Sequence, residues 1–480
     1  MEPSKVTRRN LLASASALAA VPVQAVAKNS GGQAEAAGRK RPNILLVISD
    51  QFRADNLGCL GNPMGLTPNL DAMARRGTLF RQAMTNQPVC APARGILFTG
   101  QYPQVNGVWR NGLGLRPGDV TLPKMLRQEG YTADYIGKWH LAPKVDQSHD
   151  SDGPVPPQYR GGFDDFWEGA NALELVSHSF EGEMYDGNGK PLRFANQYRA
   201  DFLTDRAVRF LEERQADKPF FLTVSYLEVH HQNDLDKFVP PKKYEHSYRN
   251  CFVPQDLRPI PGSWPSQIAD YYACVKGMDD CIGTLLATLK QLNLDQDTVV
   301  LFTSDHGCHF KTRNAEYKRS AHDSSIRIPM ILQGPGFDKG TEVSELVSHI
   351  DVVPTLLGVA GRKKPENMPG FDLKPLATRE AKNWRNEVYI EMSESTTGRV
   401  IRTPQHTYAV AFPLREAASD KYYEYMLYDN YADPFQHVNL VSRADRRELS
   451  QHLRERLIAR MVEASNKQPT IEPNLLPYVC

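Results

Sequence analysis

Pro42-Asn43-Ile44-Leu45-Leu46-Val47-Ile48 runs without interruption into Ser49-Asp50-Gln51. A continuous apolar run of this length suits a strand buried on both faces, as in a parallel sheet covered by helices. Asp50 then falls at the strand's carboxyl end, where open α/β sheets collect their ligands. Outward from this run the alternation repeats. Thr67-Pro68-Asn69-Leu70 opens a helix with Thr67 as N-cap, Leu70, Met73 and Ala74 on one face and Gly77 at its close. Leu122 to Leu126 and Tyr131 to Ile136 predict a helix and a strand that ends in Gly137-Lys138-Trp139-His140. A helix from Asp205 to Glu213, capped by Thr204, leads into a strand from Pro219 to Tyr226 and on to His230-His231-Gln232-Asn233. A helix from about Ile268 to Leu289 precedes the strand Thr298 to Thr303, which ends in Ser304-Asp305-His306-Gly307. Ile328 to Leu332 and Val347 to Leu357 complete the pattern.

This alternation predicts an α/β chain: a large domain over residues 41–380 with a mostly parallel, mixed sheet sandwiched by helices. Beyond Gly370 the pattern changes. Val388 to Ile390, Arg399 to Thr403, Tyr408 to Phe412 and Tyr422 to Tyr428 predict short antiparallel strands, and Ala444 to Ala464 a closing helix, so residues 381–480 form a smaller α+β subdomain. Residues 141–200 are Pro/Gly-rich, polar and aromatic without clear periodicity, as expected of an irregular insertion that shapes a cleft. No internal repeat or coiled-coil heptad is present.

The 480 residues leave room for both units, and 57 Lys and Arg against 56 Asp and Glu give no charge field for nucleic acid or acidic lipid. Thr7-Arg8-Arg9-Asn10-Leu11-Leu12, an apolar run from Leu11 to Val23 and Ala25-Val26-Ala27 have the form of a twin-arginine signal with its cleavage site, so residues 1–27 predict passage through the Tat export machinery. Residues 28–40 are a linker. The mature chain is then periplasmic or secreted, and losing Glu2, Lys5, Arg8 and Arg9 takes its formal charge from +1 to −1. No other stretch approaches the ~20 apolar residues of a membrane span. Seven irregularly spaced cysteines exclude a disulfide framework and a C-x-x-C zinc cluster. Cys274 and Cys281 lie seven apart on one predicted helix and pack as core, one pair elsewhere could be bridged, and Cys90 is the candidate unpaired thiol.

Cys90-Ala91-Pro92-Ala93-Arg94, continuing through Gly95 to Gly100, places that thiol at the mouth of a short helix, with Pro92 suited to its first position and Gly100 to its end. Free N–H groups and the positive end of the helix dipole gather there, so a sulfate or phosphate ester could sit beside Cys90 with Arg94 one turn on. The plain alternative is a cysteine packed at a turn. Strand ends deliver Asp50, His140, Asp305 and His306, and hard oxygen donors with a single His favour calcium over zinc. Lys138, His140, His230 and Lys318 would supply charge and protons around an anionic ester. His231, His309 and His322 read as packed or surface histidines, while Arg313, Arg319 and Arg402 could instead grip an anion on the substrate. Neither a G-x-G-x-x-G nor a P-loop follows the first strand, which argues against a nucleotide-binding module.

These motifs resemble, in order and over about residues 41 to 465, the type I sulfatases of the alkaline-phosphatase-like superfamily. The residues that carry the resemblance are the Cys90–Arg94 signature with Thr99-Gly100, Asp50, Gly137-Lys138-Trp139-His140, Ser304-Asp305-His306-Gly307, and Leu427-Tyr428-Asp429 followed by Asp433-Pro434. The resemblance implies that a formylglycine-generating maturation enzyme oxidises Cys90 to 3-oxoalanine (formylglycine) before the chain folds. Its hydrate would attack sulfur in line, the alcohol would leave, and elimination of sulfate would restore the aldehyde. It further implies one calcium ion held by Asp50, Asp305, His306 and the modified Cys90, with Arg94 steadying the hydrate. Lys138, His140, His230 and Lys318 match sulfate-binding and proton-transfer positions, His230 as the acid for the leaving oxygen and His140 as the base for sulfate release.

Gln51 stands where many sulfatases have a second Asp, and its amide oxygen can still coordinate. Ala93 replaces a common Ser, and His306 a common Asn. The expected substrate is a sulfated small molecule or oligosaccharide, with Trp139, Tyr159 and Trp167 available to pack on sugar faces. A phosphonate or phosphate ester hydrolase of the same superfamily, or a non-catalytic sugar-binding relative whose Cys90 stays a thiol, are the alternatives.

Overall fold

All seven residues of β1 (Asn43–Ser49) are buried. Leu45 and Val47 enter one apolar cluster, while Ile44, Leu46 and Ile48 enter another on the opposite face. Full burial of each such side chain is worth roughly 1.5–3 kcal/mol, so the run can only be the centre of a covered sheet. Residues 41–143, 153–215, 217–412, 414–465 and 467–473 are described by this computed structural model. The predicted export signal, the linker to residue 40 and Cys480 lie outside the described residues.

After β1 come β2 (Thr78–Met84), β3 (Thr132–Lys138), β4 (Phe166–Ala170), β5 (Ser177–His178), β6 (Glu181–Asp186) and β7 (Pro191–Ala195). They are followed by β8 (Phe220–Tyr226), β9 (Thr298–Ser304), β10 (Met330–Gln333) and β11 (Thr341–Ser348). These eleven strands form one sheet in the order β11-β2-β10-β9-β1-β8-β3-β4-β6-β5, with β7 beside β6. The central four, β9-β1-β8-β3, are mutually parallel, with Ser49 level with both Ser304 and Tyr226. Helices Pro68–Arg76, Arg199–Glu213 and Trp264–Gln291 cover one face through residues such as Leu70, Leu203 and Val275. Helices Cys90–Thr99, Leu122–Gln128 and Val352–Val359 cover the other through Phe98, Leu126 and Leu356.

The second sheet contains β12 (Val388–Met392), β13 (Thr397–Arg402), β14 (His406–Phe412), β15 (Lys421–Asp429) and β16 (Thr470–Glu472) in sequential order. Its first four strands are antiparallel, and β16 adds in parallel to β15. Helix Arg447–Ser465 covers one face with Leu453, Leu457 and Met461, and the other face packs on Met84, Ile326 and Leu346 of the large sheet's flank. No helix among the described residues is long and apolar enough to cross a membrane.

Several expectations are corrected. Residues 141–200 are not simply irregular, since β4 extends the main sheet in parallel from β3 and β6 turns it antiparallel. β10 is antiparallel to β9, and Val347 to Leu357 divides into the end of β11, a tight turn and a helix. Thr67 precedes its helix without capping it. Its hydroxyl meets the Gly58 N–H and Asp71, while the Asp279 carboxylate accepts from the Asn69 and Leu70 N–H groups. Thr204 lies inside a helix that starts at Arg199, and its hydroxyl donates back to the Ala200 carbonyl. Pro92 is the third residue of its helix, because Cys90 is the first. Trp139 and Trp167 are core residues, packed with Phe98, Tyr135 and Phe163, and the Trp139 indole N–H donates to the carbonyl of Tyr159. None of the six cysteines among the described residues is bridged.

Candidate active site

Four parallel strands stop at one edge of the sheet, and each hands its next residues to the same place. β1 leads to Asp50 and Gln51, β9 to Asp305 and His306, β3 to Lys138 and His140, and β8 to His230. Gly137 makes the approach of β3 possible: its φ is +106° and a Cβ there would lie 2.1 Å from the Ser225 carbonyl oxygen. Gln51 (φ +66°) and His140 (φ +61°) adopt left-handed backbone where two of these strands end. Such conformations cost about 1–3 kcal/mol each and collect at functional sites.

Helix Cys90–Thr99 points its first turn into this edge and closes at Gly100, φ +63°. Cys90 Sγ lies 2.9 Å from Lys318 Nζ, 3.3 Å from His306 Nε2 and 3.7 Å from Asp50 Oδ1. Burial alone would raise the Cys90 pKa, but Lys318, Lys138 and His306 outweigh it and hold the thiol well below its ordinary value. Burial and Cys90 likewise push Asp50 upward, and Lys138, His230 and His306 overcome them, so that carboxylate stays ionised. Asp305, buried and beside Asp50, is raised to about 6. Arg94 is fully buried and its donors are spent within the protein: on Asp305 Oδ2 at 3.2 Å, Asp50 Oδ2 at 3.4 Å, Ser225 Oγ at 2.6 Å and the Lys138 carbonyl at 2.8 Å. It locks two carboxylates and two strands together. The free anion contact expected of it beside Cys90 is not among these bonds.

One ligand atom from each of Asp50, Cys90, Asp305 and His306 lies within 4.8 Å of the others. The His306 Nδ1–H donates to the Gly307 carbonyl at 2.9 Å, and its Nε2 faces Cys90 Sγ, Lys318 Nζ at 3.3 Å and, at 3.4 and 3.7 Å, both carboxylates, where, against burial, Asp305 and Cys90 raise its pKa. Deprotonated, that nitrogen joins the two carboxylates as a third possible ligand for a cation. Gln51 donates its backbone N–H to Asp305 Oδ1, and its buried side-chain oxygen has no partner among the described residues. Two carboxylates, an imidazole nitrogen and a spare amide oxygen fit a hard divalent cation.

Lys138 Nζ bridges Asp50 Oδ2 at 2.9 Å and Glu174 Oε1 at 3.2 Å. Burial opposes its charge, but Asp50 and Glu174 dominate and raise its pKa. Lys318, raised by Cys90 and other anions against burial, also stands 3.4 Å from His230 Nε2. His230 is lowered by burial, against the pull of Asp50. The Nδ1 atoms of His140 and His230 are buried without a partner among the described residues. Every predicted site residue therefore lies in or against this cluster.

Glu174 was missed, because it sits in the stretch that lacks sequence periodicity, and Ser225 because a Ser in a buried strand gives no signal. The other candidates are engaged elsewhere: Arg402 with Asp323, Arg319 with Glu394 and Glu316, Arg313 with the carbonyls of Phe435 and Gln436. His309 bonds to the Lys318 carbonyl, His322 to the Tyr428 hydroxyl, and His231 to Gln267.

Comparison with known proteins gives a concordant result. The Sulfatase family matches residues 42–362, and the family described as N-sulphoglucosamine sulphohydrolase, C-terminal, matches residues 315–463. The ulvan-active sulfatase of Formosa agariphila is 31% identical over 446 residues, spanning 89% of this chain and 82% of that protein. The N-acetylglucosamine-6-O-sulfatase of Bacteroides thetaiotaomicron is 25% identical, with 91% and 89% covered. Among solved structures, the yidJ protein of Bacteroides fragilis superposes with a TM-score of 0.78 at 28% identity, over 91% of this chain and 98% of that one. The phosphonate monoester hydrolase of Agrobacterium radiobacter shares the fold at a TM-score of 0.68 and 23% identity, over 88% and 96%.

Proposed function

Because this chain belongs to the sulfatase family and is a sulfuric ester hydrolase, we propose that it releases sulfate from a carbohydrate, using Cys90 matured to formylglycine and one calcium ion. The single observation that carries this reading is the position of Cys90 Sγ, 2.9 Å from one buried lysine and inside a cage of two carboxylates and an imidazole. Sugar sulfates are favoured because the relatives named above include an ulvan-active and an N-acetylglucosamine-6-O-sulfatase.

Asp50, Gln51, Asp305, His306 and residue 90 would hold the calcium, and when bound it supplies positive charge beside the nucleophile and the ester oxygens. Maturation gives residue 90 an aldehyde whose hydrate offers an oxygen nucleophile. Lys138 and Lys318 bind the non-bridging sulfate oxygens, and their charge is worth most as negative charge builds on those oxygens in the transition state. His230 gives a proton to the departing alcohol oxygen. Its lowered pKa in the resting site is opposed by the anionic ester, which favours the protonated ring once substrate is bound. His140 takes the nucleophile's second proton when sulfate leaves. Arg94 keeps Asp50 and Asp305 in register.

Residues 1–27 would direct the folded chain through the Tat machinery, and the second sheet would begin a subdomain near residue 381. The test is sulfate release by the matured protein from sulfated mono- and oligosaccharides, run beside matched phosphate and phosphonate esters and with the bound metal quantified. Release from sugar sulfates with about one calcium per chain is expected. Faster phosphonate turnover would favour the superfamily alternative, and sugar binding without any hydrolysis would overturn the catalytic reading.

A further inference from the structure

The turn between β12 and β13 grips the catalytic edge with three consecutive residues. Ser393 Oγ accepts from the side-chain amide of Gln87 at 2.6 Å, three residues before Cys90. Ser395 Oγ donates to the Arg319 carbonyl at 2.7 Å, beside Lys318. Glu394, between them, divides its carboxylate: Oε1 accepts from the Asn111 N–H at 2.6 Å, and Oε2 pairs with Arg319 Nη2 at 2.5 Å.

Each arm ends beside a group of the site. Asn111 Oδ1 accepts from the Ala91 N–H at 3.1 Å, in the first turn of the helix that carries residue 90. Arg319 adjoins Lys318, whose Nζ stands 2.9 Å from Cys90 Sγ. One carboxylate is therefore tied to the chain neighbours of both members of that close pair. The strand leading to the turn is anchored as well, since Asn86 donates its side-chain amide to the Tyr389 carbonyl and accepts from the Glu391 N–H. Glu394 and Arg319 both take left-handed backbone, φ +67° and +70°. Glycine would meet that conformation without steric cost, which makes the carboxylate the reason for Glu at this position. Both side chains are only 17% exposed, so the charge-assisted bond between them is partly shielded from solvent.

We propose that Glu394 is a positioning residue, which sets the distance between Lys318 Nζ and residue 90 by holding Arg319 and Asn111 at once, so that the second sheet takes part in the chemical step. The proposal rests on the sulfatase reading above, in which Lys318 meets the sulfate oxygens, and adds the element that keeps it there. Glu394 acts through its two partners and not on the ester itself.

The test compares Glu394→Ala, Glu394→Gln and Asn111→Ala with the parent as matured full-length proteins. Turnover of an aryl sulfate is normalised to the aldehyde content at position 90, and unfolding is followed alongside. A misplacement of about 1 Å can cost about 10²-fold, and the charge of Lys318 is worth most in the transition state. Glu394→Ala should therefore lower kcat by about 10- to 100-fold with KM within about threefold of the parent. Gln keeps an oxygen for the Asn111 N–H and loses the charge facing Arg319, so it should fall between Ala and the parent. Asn111→Ala leaves the Glu394–Arg319 pair in place and should lower kcat by about threefold or more; it decides by the same criterion if the Glu394 variants do not fold. A merely structural role would lower the Tm and leave kcat per folded chain unchanged. That result, or a loss carried by KM alone, would overturn the proposal, while turnover by the parent left the sulfatase reading intact. Failure of the parent to cleave any sulfate ester would overturn both.

Discussion

At the amino ends of β1, β3, β8 and β9, neutral groups tie β1 to both β8 and β9. Asn43 Nδ2 donates to Thr298 Oγ1, Asn43 Oδ1 accepts from the Phe220 N–H, and Thr298 Oγ1 donates to the Leu294 carbonyl. At their carboxyl ends the same strands bury Asp50, Asp305, His306 and Lys138, joined by Arg94 and Lys318, all at 3% exposure or less. The amino edge buries Asp134, which accepts from the Thr132 hydroxyl and has no ion-pair partner among the described residues, and burial raises its pKa to about 7. At the other edge Asp50 is as buried and remains ionised, because Lys138 is 2.9 Å away. The difference teaches that burial by itself neutralises an acid and that charge is retained where the counter-charge outweighs burial and like charge, as at Asp50. Asp305, beside Asp50 and sharing Arg94 with it, lies between at about 6. Keeping many charges buried serves chemistry rather than stability, since apolar replacements of such pairs are often no less stable.

The contrast predicts opposite consequences at the two edges. Cys90→Ala should abolish sulfate release, by about 10⁴-fold or more, with a Tm close to that of the parent protein, as read by sulfate assay and calorimetry. Removal of divalent cations with a chelator should also remove activity and lower the Tm by roughly 3–8 °C, with calcium restoring both. An unchanged Tm and rate would break the assignment of Asp50, Asp305 and His306 to a cation. At the amino edge, Asn43→Ala should cost about 1–3 kcal/mol in urea unfolding, with kcat/KM of the folded enzyme within about threefold of the parent.

The smallest effect on activity belongs to Asp134→Asn, whose consequence is confined to stability. In the folded chain this acid stays protonated to about pH 7, whereas in the unfolded chain it ionises above about pH 4. The folded state therefore loses stability as the pH rises from about 4 through 7, and Asn removes that slope. The variant should match the parent near pH 4 and exceed it by roughly 4 kcal/mol at pH 8, since a pKa raised from about 4 to about 7 is worth about 1.4 kcal/mol per pH unit. A stability difference independent of pH would show that the carboxyl is not the titrating group.

Much of the catalytic edge was legible because its signals are local. An unbroken apolar run followed by a charged residue, as in Ile44 to Asp50 or Val299 to Asp305, announces both a covered strand and what its end presents. Cys90 and Gly100 bracket their helix in the same local way. What depends on distant partners was not legible. Glu174 takes its meaning from Lys138, 36 residues away, and sits in a stretch whose strands β4 to β7 are short and partly exposed. The donors of Arg94 could not be assigned without knowing that Asp50, Asp305 and Ser225 surround it. Residue type leaves Trp139 and Trp167 open to sugar faces or to the core, and their neighbours Phe98, Tyr135 and Phe163 place them in the core. Thr67 and Thr204 have cap-forming side chains, but the first bonds Asp71 and the second lies within a helix begun earlier.

The central claim is that residue 90 reaches the active site as an aldehyde rather than a thiol. The mass of the tryptic peptide containing position 90, from active protein made in the native host, tests it most directly. The expected peptide is lighter than the thiol form by the exchange of H₂S for one oxygen. Active protein whose peptide carries only the intact cysteine would contradict the account.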